Sequence, residues 1–383
     1  MVSERINGLA TVLGAVRADS GVTQPMLVER VGLGRSVVAQ RVAELESAGL
    51  IEGAGLGPSS GGRAPRRLRV RAGRGVVLGV DVGAVELNVG IADLAGKVLA
   101  SRRESVDVAA GPDVVLSRAE ALADELRRDR AAIWAVGVGV PGPVEFRSGL
   151  PVVPPIMPGW DRYPIRQRLR TRFGAPVWVD NDVNLMALGE LHAGPDPGGH
   201  MLYVRVGAGI GAAIVMDGRL YRGANGSAGD IGHVAIPEGG TIICRCGNIG
   251  CLEAVAGGAA ISGAVRAADA GDRDAREFLH RASTLLGGTL ATLISFYNPD
   301  RLVLGGSLAR AREHVLDAIR EVIHKRALPL ATRDLRIEVS VLPEQVAGVS
   351  GAVHLALDEV FAPANLEIWL AAGSPDQVPQ NVW

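Results

Sequence analysis

The sequence predicts an α/β protein with a winged helix-turn-helix ahead of its main body, and three observations predict it. Helical periodicity crosses a glycine turn near the start, a cationic Gly/Ser/Pro hairpin follows, and one strand-turn-strand opening recurs in the body. At 383 residues the chain is too long for one ordinary core. It divides into residues 1–72, residues 73–360 and a tail of residues 361–383.

In the first segment, Ile6, Leu9, Ala10, Leu13 and Val16 share one helical face, and Asp19-Ser20-Gly21 closes that helix. Thr23 is placed to cap a second helix through Val31. Gly32 and Gly34 form a short turn, and Val38, Val42 and Leu45 mark the buried face of a third helix. Two helices across such a turn make a helix-turn-helix. Arg35, Ser36, Gln40 and Arg41 lie off the buried stripe near the start of the third helix, where a recognition helix meets base edges and phosphates. The plain alternative is an ordinary solvated face. The next stretch of chain decides between them: strand-like Leu50-Ile51-Glu52 leads into GAGLGPSSGGRAPRRLRV, a flexible tip bearing Arg63, Arg66 and Arg67 ahead of a second strand. Such a hairpin is a wing, and its arginines suit the narrow minor groove or the phosphate backbone.

Charge agrees. Residues 1–72 hold ten Arg against six Asp plus Glu and so carry +4, while the remainder carries −5. A basic end on an acidic body calls for an anionic partner, here operator DNA. Hydrophobic content of 48% with 4% aromatics describes aliphatic cores and excludes a wholly disordered chain. No run of 18 apolar residues occurs, and Glu4, Arg5, Arg17 and Asp19 stand where a secretory signal would be apolar. The expectation is a cytoplasmic protein with no membrane partner.

From Val76 the body reads VVLGVDVGAVELNVGIADLAGKVLA, and from Met201 it reads MLYVRVGAGIGAAIVMDGRLYRG. Each is a strand, a Gly-bearing turn, a second strand and a further turn, so two related halves are expected. Helical patterns near 112–130, 183–193, 256–297, 307–326 and 348–360 alternate with strands near 132–140, 176–179, 301–305 and 335–341. All three cysteines, Cys244, Cys246 and Cys251, fall within eight residues. An odd, clustered set argues against a disulfide framework and for a metal site in a reducing compartment. With His233 they make three thiolates and one imidazole, the donor set of a closed tetrahedral zinc site, which is structural because no position is left for water. The alternative is three free thiols and a packed histidine.

The winged helix ending in GGRAP, then DVGA, GVGVPGPV, DNDVNLMALGE, GAGIGAAIV, AGDIGH and CRCGNIGCLE, resemble in that order the ROK family of repressors and sugar kinases. The resemblance runs to about residue 360, and CxCGxxGCLE is its most specific part. It implies an actin-like (ribonuclease H-like, sugar-kinase type) two-lobed body with a ligand cleft between the lobes. It implies Asp182 as the base for a sugar hydroxyl if the chain is kinase-active. Asn181, Asp182, Asp230, His233 and Glu253 would bind sugar, His233 being shared with zinc through its two nitrogens. Asp182 also reads as a helix N-cap ahead of VNLMALGELHAG.

The phosphate hairpins depart from the kinases. Asp81-Val82-Gly83-Ala84-Val85 lacks the Thr of DxGxT, and Gly207-Ala208-Gly209-Ile210-Gly211 lacks the Thr of GTGxG. Asp230 stands where the family usually has Glu. Two lost hydroxyls weaken the case for ATP with Mg²⁺ and for catalysis. The expected function is a DNA-binding transcriptional regulator, a repressor of carbohydrate metabolism genes whose operator affinity responds to a sugar or sugar derivative. The alternatives are an ATP-dependent, glucokinase-like sugar kinase with an accessory DNA-binding domain, and a regulator that reads a partner protein. A homodimer or homotetramer is the default for two-fold operators. The tail, PANLEIWLAAGSPDQVPQNVW, has few periodic apolar residues and is expected to be disordered or to dock on a neighbour.

Overall fold

The computed structural model describes residues 2–57, 64–128, 130–194, 199–207, 209–257, 259–306 and 312–383. Helix α1 (Glu4–Ala18) is capped by Ser3, whose hydroxyl accepts from the Ile6 N–H, and buries Ile6, Leu9, Val12, Leu13 and Val16. Helix α2 (Gln24–Val31) stops at Gly32, where φ is 67°. Helix α3 (Arg35–Ser47) buries Val38, Val42 and Leu45 on the face that its sequence spacing predicts. Thr23 holds the N-cap position of α2 without a side-chain capping bond; its backbone bridges to Arg67 instead. Strands β1 (Ile51–Leu56) and β2 (Arg66–Val70) pair antiparallel to form the wing.

The body holds two five-stranded sheets of the same order. In the first, β3 (Val76–Val82), β4 (Glu86–Asp93) and β5 (Val98–Ser105) form an antiparallel meander. After α4 (Pro112–Arg127), β6 (Ile133–Val140) pairs parallel to β3. A small β7/β8 pair (Val144–Glu145 and Leu150–Pro151) and α5 (Ile165–Phe173) lead to β9 (Val177–Asn181), which pairs parallel to β6. Helix α6 (Asp182–Ala193) continues directly from it. The second sheet repeats the plan with the meander β10 (Met201–Val206), β11 (Ile210–Met216) and β12 (Arg219–Tyr221). Helices α7 (Leu252–Ala256), α8 (Ala259–Asp269) and α9 (Arg273–Tyr297) precede the parallel β13 (Arg301–Gly306). Then come α10 (Arg312–Arg326), α11 (Pro329–Thr332), parallel β14 (Arg336–Val339) and α12 (Glu344–Val360). The internal repeat is therefore a repeat of topology.

Two helices tie the lobes together. Leaving the first sheet, α6 packs on β11 of the second; leaving the second sheet, α12 packs on β3 and β6 of the first. A Cβ on Gly351 of α12 would overlap the Leu185 carbonyl oxygen of α6, so the two backbones touch where the helices cross.

Two expectations need correcting. The single helical pattern over 256–297 is broken by a turn at Gly271, after which Asp272 caps α9 by accepting from the Ala275 N–H at 3.0 Å. The tail neither stays disordered nor leaves for a neighbour: α13 (Pro363–Trp369) packs on α1, and Trp369 is fully buried with its ring centroid 5.3 Å from that of Trp134. One aromatic anchor thus does what helical periodicity did elsewhere. Among the described residues no helix is long and apolar enough to cross a membrane.

Candidate functional site

The β9-to-α6 junction delivers Asp180, Asn181 and Asp182 to the gap between the lobes. Asn181, not Asp182, is the N-cap of α6. Its Oδ1 accepts from the Val183 N–H at 2.9 Å and the Asn184 N–H at 3.4 Å, and its Nδ2 donates to the Gly142 carbonyl at 3.0 Å. Asp182 becomes the first helical residue, its Oδ1 accepting from the Val183 N–H at 2.9 Å. Its Oδ2 faces the Arg205 guanidinium at 3.7 Å. Burial raises the Asp182 pKa while Arg205 opposes the rise. Arg205 is held in turn by Glu344, which accepts from Nε at 3.0 Å and Nη2 at 2.8 Å. Beside them Asp81, near the end of β3, accepts one bond from Asn88 and leaves Oδ1 buried without a partner. Burial first, then the Asp182 charge, push its pKa up to about 7.

Sequence reasoning passed over Arg205 and Glu344. The available signal was a lone charge inside the otherwise apolar strand MLYVRV; its partner lies 139 positions away and carries no local mark.

Glu253, in the first turn of α7, leans on the second hairpin. Its Oε2 accepts from the Ile210 N–H at 2.9 Å and its Oε1 from Arg245 at 3.1 Å. A Cβ on Gly209 would stand 2.6 Å from that Oε2, so any side chain there would push the carboxylate off the hairpin. A carboxylate in this position repels phosphate. The first hairpin offers no hydroxyl either, since Ala84 lines the cleft and Val85 is exposed to solvent. Ala208 lies outside the described residues. Asn181, Asp182, Asp230, His233 and Glu253 nonetheless line one cleft, together with Arg205 and Arg245.

His233, Cys244, Cys246 and Cys251 come together beside it, their ligand atoms all within 4.8 Å of one another. A backbone bond from the Cys244 N–H to the Asn248 carbonyl and bridges at Ile243–Ile249 and Ala235–Cys251 fold the loop so that the thiols converge. Cys244 Sγ lies 3.7 Å from His233 Nδ1, and Cys246 Sγ lies 3.7 Å from Cys251 Sγ. Sulfurs bound tetrahedrally at about 2.3 Å stand about 3.8 Å apart, so the spacing suits a metal of zinc's size. These four residues form a possible metal-binding cluster. His233, with Nδ1 turned to Cys244, also lines the cleft.

On the winged helix, Arg35, Ser36 and Gln40 are exposed on α3 and Arg67 is exposed on β2. Arg66 is exposed too but reaches back to Glu46 of α3 at 2.7 Å, tying the wing to that helix. Arg41 departs from the expected outward face. Its side chain is only 12% exposed, packs over Gly8 of α1 and is ion-paired with Glu44. Burying its stem against α1 is what turns it inward. Arg63 lies outside the described residues.

Comparison with known proteins bears on the whole chain. The profile of the ROK family matches residues 77–359, and a winged helix-turn-helix DNA-binding profile matches residues 11–52. The xylose repressor of Caldicellulosiruptor bescii is 28% identical over an alignment of 391 positions that covers 94% of this chain and 97% of the repressor. The glucokinase of Halalkalibacterium halodurans is 30% identical over an alignment of 308 positions that covers 72% of this chain and 92% of the kinase. A solved ROK family transcriptional regulator, a homologue of the E. coli MLC protein, superposes with a TM-score of 0.79 over 96% of this chain and 99% of its own. At 24% identity that likeness is one of fold.

Proposed function

The chain belongs to the ROK family, and from that premise we propose that it is a repressor of carbohydrate metabolism genes whose hold on its operator is set by a sugar or sugar derivative. The observation that carries this reading is the convergence of Asn181, Asp182, Asp230, His233 and Glu253 in one cleft of a chain that begins with a winged helix. Sugar hydroxyls both donate and accept, and the three carboxylates supply acceptors. Asn181 keeps one amide hydrogen beyond the one given to Gly142. His233 is assigned Nδ1 toward a structural zinc completed by Cys244, Cys246 and Cys251, and Nε2 toward the sugar. The metal would thereby fix a ligand contact.

Residues 1–72 form the DNA-binding part and 73–360 the sensor in this reading. Arg35, Ser36 and Gln40 meet base edges and phosphates, while Arg66, Arg67 and the wing-tip Arg63 meet the backbone or minor groove. Arg41 is reassigned to holding α3 on α1. The protein works in the cytoplasm as a homodimer or homotetramer, presenting recognition helices to half-sites about 34 Å apart.

A glucokinase-like activity is the second reading, favoured by Asp182 in the cleft and by the 30% identical glucokinase. The missing hydroxyls of both phosphate hairpins, where Val85 and Ala208 stand in place of Thr, oppose it. A thermal-shift panel of D-xylose, D-glucose and N-acetyl-D-glucosamine with their phosphates, combined with coupled ADP release, tests both. Binding without turnover supports the sensor. Turnover at roughly 1 to 100 per second would install the kinase, and no shift with any sugar would remove the sensor reading.

A further inference from the structure

We infer that Asp358, near the end of α12, is the positioning residue through which the cleft acts on the winged helix; the inference rests on the sugar-sensor reading above. The helices α6 and α12 both begin at the cleft. Asp182 and Glu344, their first residues, meet the same Arg205 guanidinium. They span 12 and 17 residues, roughly 18 and 25 Å. The final turn of α12 meets α1 through Asp358 and Arg17, and that of α6 lies against α12 beside it. There the His192 ring of α6 stacks flat on the His354 ring of α12, with centroids 3.7 Å apart and planes 5° from parallel.

Asp358 divides its two oxygens between two bodies. Oδ2 faces His192 Nε2 at 3.5 Å, and Oδ1 accepts from Arg17 Nη2 at 3.0 Å. Arg17 sits in the last turn of α1, is 14% exposed and lies over the Phe361 ring at 5.4 Å. Helix α1 in turn packs on α3, where Arg5 of α1 pairs with Glu44 at 2.8 Å and Arg41 lies over Gly8. One carboxylate therefore touches both the helix that carries Asn181 and Asp182 and the helix that supports the recognition helix.

The crossing of α6 and α12 explains why motion at one end reaches the other. With backbones in contact at Gly351 and Leu185, the crossing leaves no room for closer approach and is the point about which the proposed turn is centred. A sugar that draws Asn181 and Asp182 toward Asp230, His233 and Glu253 turns α6 about that crossing and moves His192 against Asp358. Arg17 must then follow Asp358 or lose it. Either response changes how the winged helix sits on the body.

The test compares the parent with Asp358→Asn, Asp358→Glu and the charge-exchanged pair Arg17→Asp with Asp358→Arg. The probe DNA is a duplex selected by the parent from a random library, and the probe sugars are D-xylose and D-glucose. In the parent, sugar should change DNA affinity by about 5-fold or more. In Asp358→Asn that ratio should fall to within about twofold of unity, while sugar affinity measured without DNA and DNA affinity measured without sugar stay near the parent values. Asp358→Glu should recover the ratio, whereas the exchanged pair, which restores the contact with α1 but sets an arginine against His192, should stay near unity; recovery by the exchanged pair would overturn the part given to α6. A purely structural role would move both affinities and leave the ratio intact. A parent that responds alongside an Asp358→Asn variant that responds equally would overturn the inference. A parent whose DNA affinity ignores every sugar it binds would instead overturn the sensor reading beneath it.

Discussion

Wedged against Gly96 and stacked on His192, His354 has its pKa lowered to about 3, by burial first and by the neighbouring imidazole second. The same ring titrates near 6.5 in an unfolded chain. Between those values the unfolded state binds a proton that the folded state refuses, so stability present above about pH 6.5 is lost as the pH falls, at up to about 1.4 kcal/mol per pH unit. Burial works to raise Asp358, but His192 and Arg17 outweigh it and hold it below the usual carboxylate range, which adds a loss of the same sign at lower pH. His354→Leu should flatten the acid limb of a denaturation series between about pH 4.5 and 6.5; equal slopes for parent and variant would contradict the assignment. The metal cluster makes a separate prediction. Purified protein should carry one zinc per chain, and Cys246→Ser should lower both zinc content and melting temperature, because folded-state metal binding is folding free energy. Zinc near zero with unchanged melting would refute it. The cluster was legible in the sequence, since its cysteines sit within one short loop, and the place of Glu253 was suggested by the family motif that ends on it. Arg205 was not, because its meaning depends on Asp182 and Glu344 arriving from other elements. Arg41 was misjudged because helical spacing places it outside the buried stripe, whereas a long side chain can still fold back across a neighbour.

Among the elements, the crossing of α6 and α12 is the tightest. Gly351→Ala must push a methyl group into the Leu185 carbonyl, and the overpacking should cost at least about 1–3 kcal/mol. Gly14→Ala is its control: it lies exposed in α1 with nothing near its missing Cβ, and it should stabilise by up to about 1 kcal/mol. Calorimetry that found the two variants alike would show that the helices do not touch as described. The wing has its own test. Arg67→Ala should weaken binding to all duplexes alike and lower the salt slope by about one, as one lost phosphate contact requires. Binding at parental strength across a salt series would return Arg67 to the solvated surface. Strong periodicity made α1, α3 and α4 readable. The short, arginine-rich α5 was missed because packing of Ile165 and Leu169 alone decides it. The division of 256–297 into α8 and α9 was missed because apolar spacing continued across the turn at Gly271.

For the molecule as a whole, two like-ordered sheets were foreseeable from the repeated strand-turn-strand text, but the way the lobes join was not, since α6 and α12 each leave one sheet to pack on the other. The same holds for the winged helix and the body. A single buried cluster runs from Leu9 and Leu13 of α1 through Trp134 of the first sheet and Leu355 of α12 to Trp369 of the tail. Trp369 is its far end: the ring packs on Trp134 and Phe361, and its Nε1 donates to the Val360 carbonyl at 2.8 Å. Truncating a buried tryptophan costs about 3–5 kcal/mol through lost burial and the cavity left behind. Trp369→Ala should therefore lower the unfolding midpoint, and because α1 rests on α13, the loss should appear in the DNA-binding helices as well as in the body. Hydrogen exchange resolves the two. Amides of Leu9 and Leu13 in α1 should lose protection together with those of Leu355 and Leu357 in α12. If α12 loosened while α1 kept its parental protection, the tail would belong to the body alone, and the winged helix would have to be held to it by the Arg17–Asp358 pair and the bond from Arg74 to the Ala48 carbonyl without the tail's help.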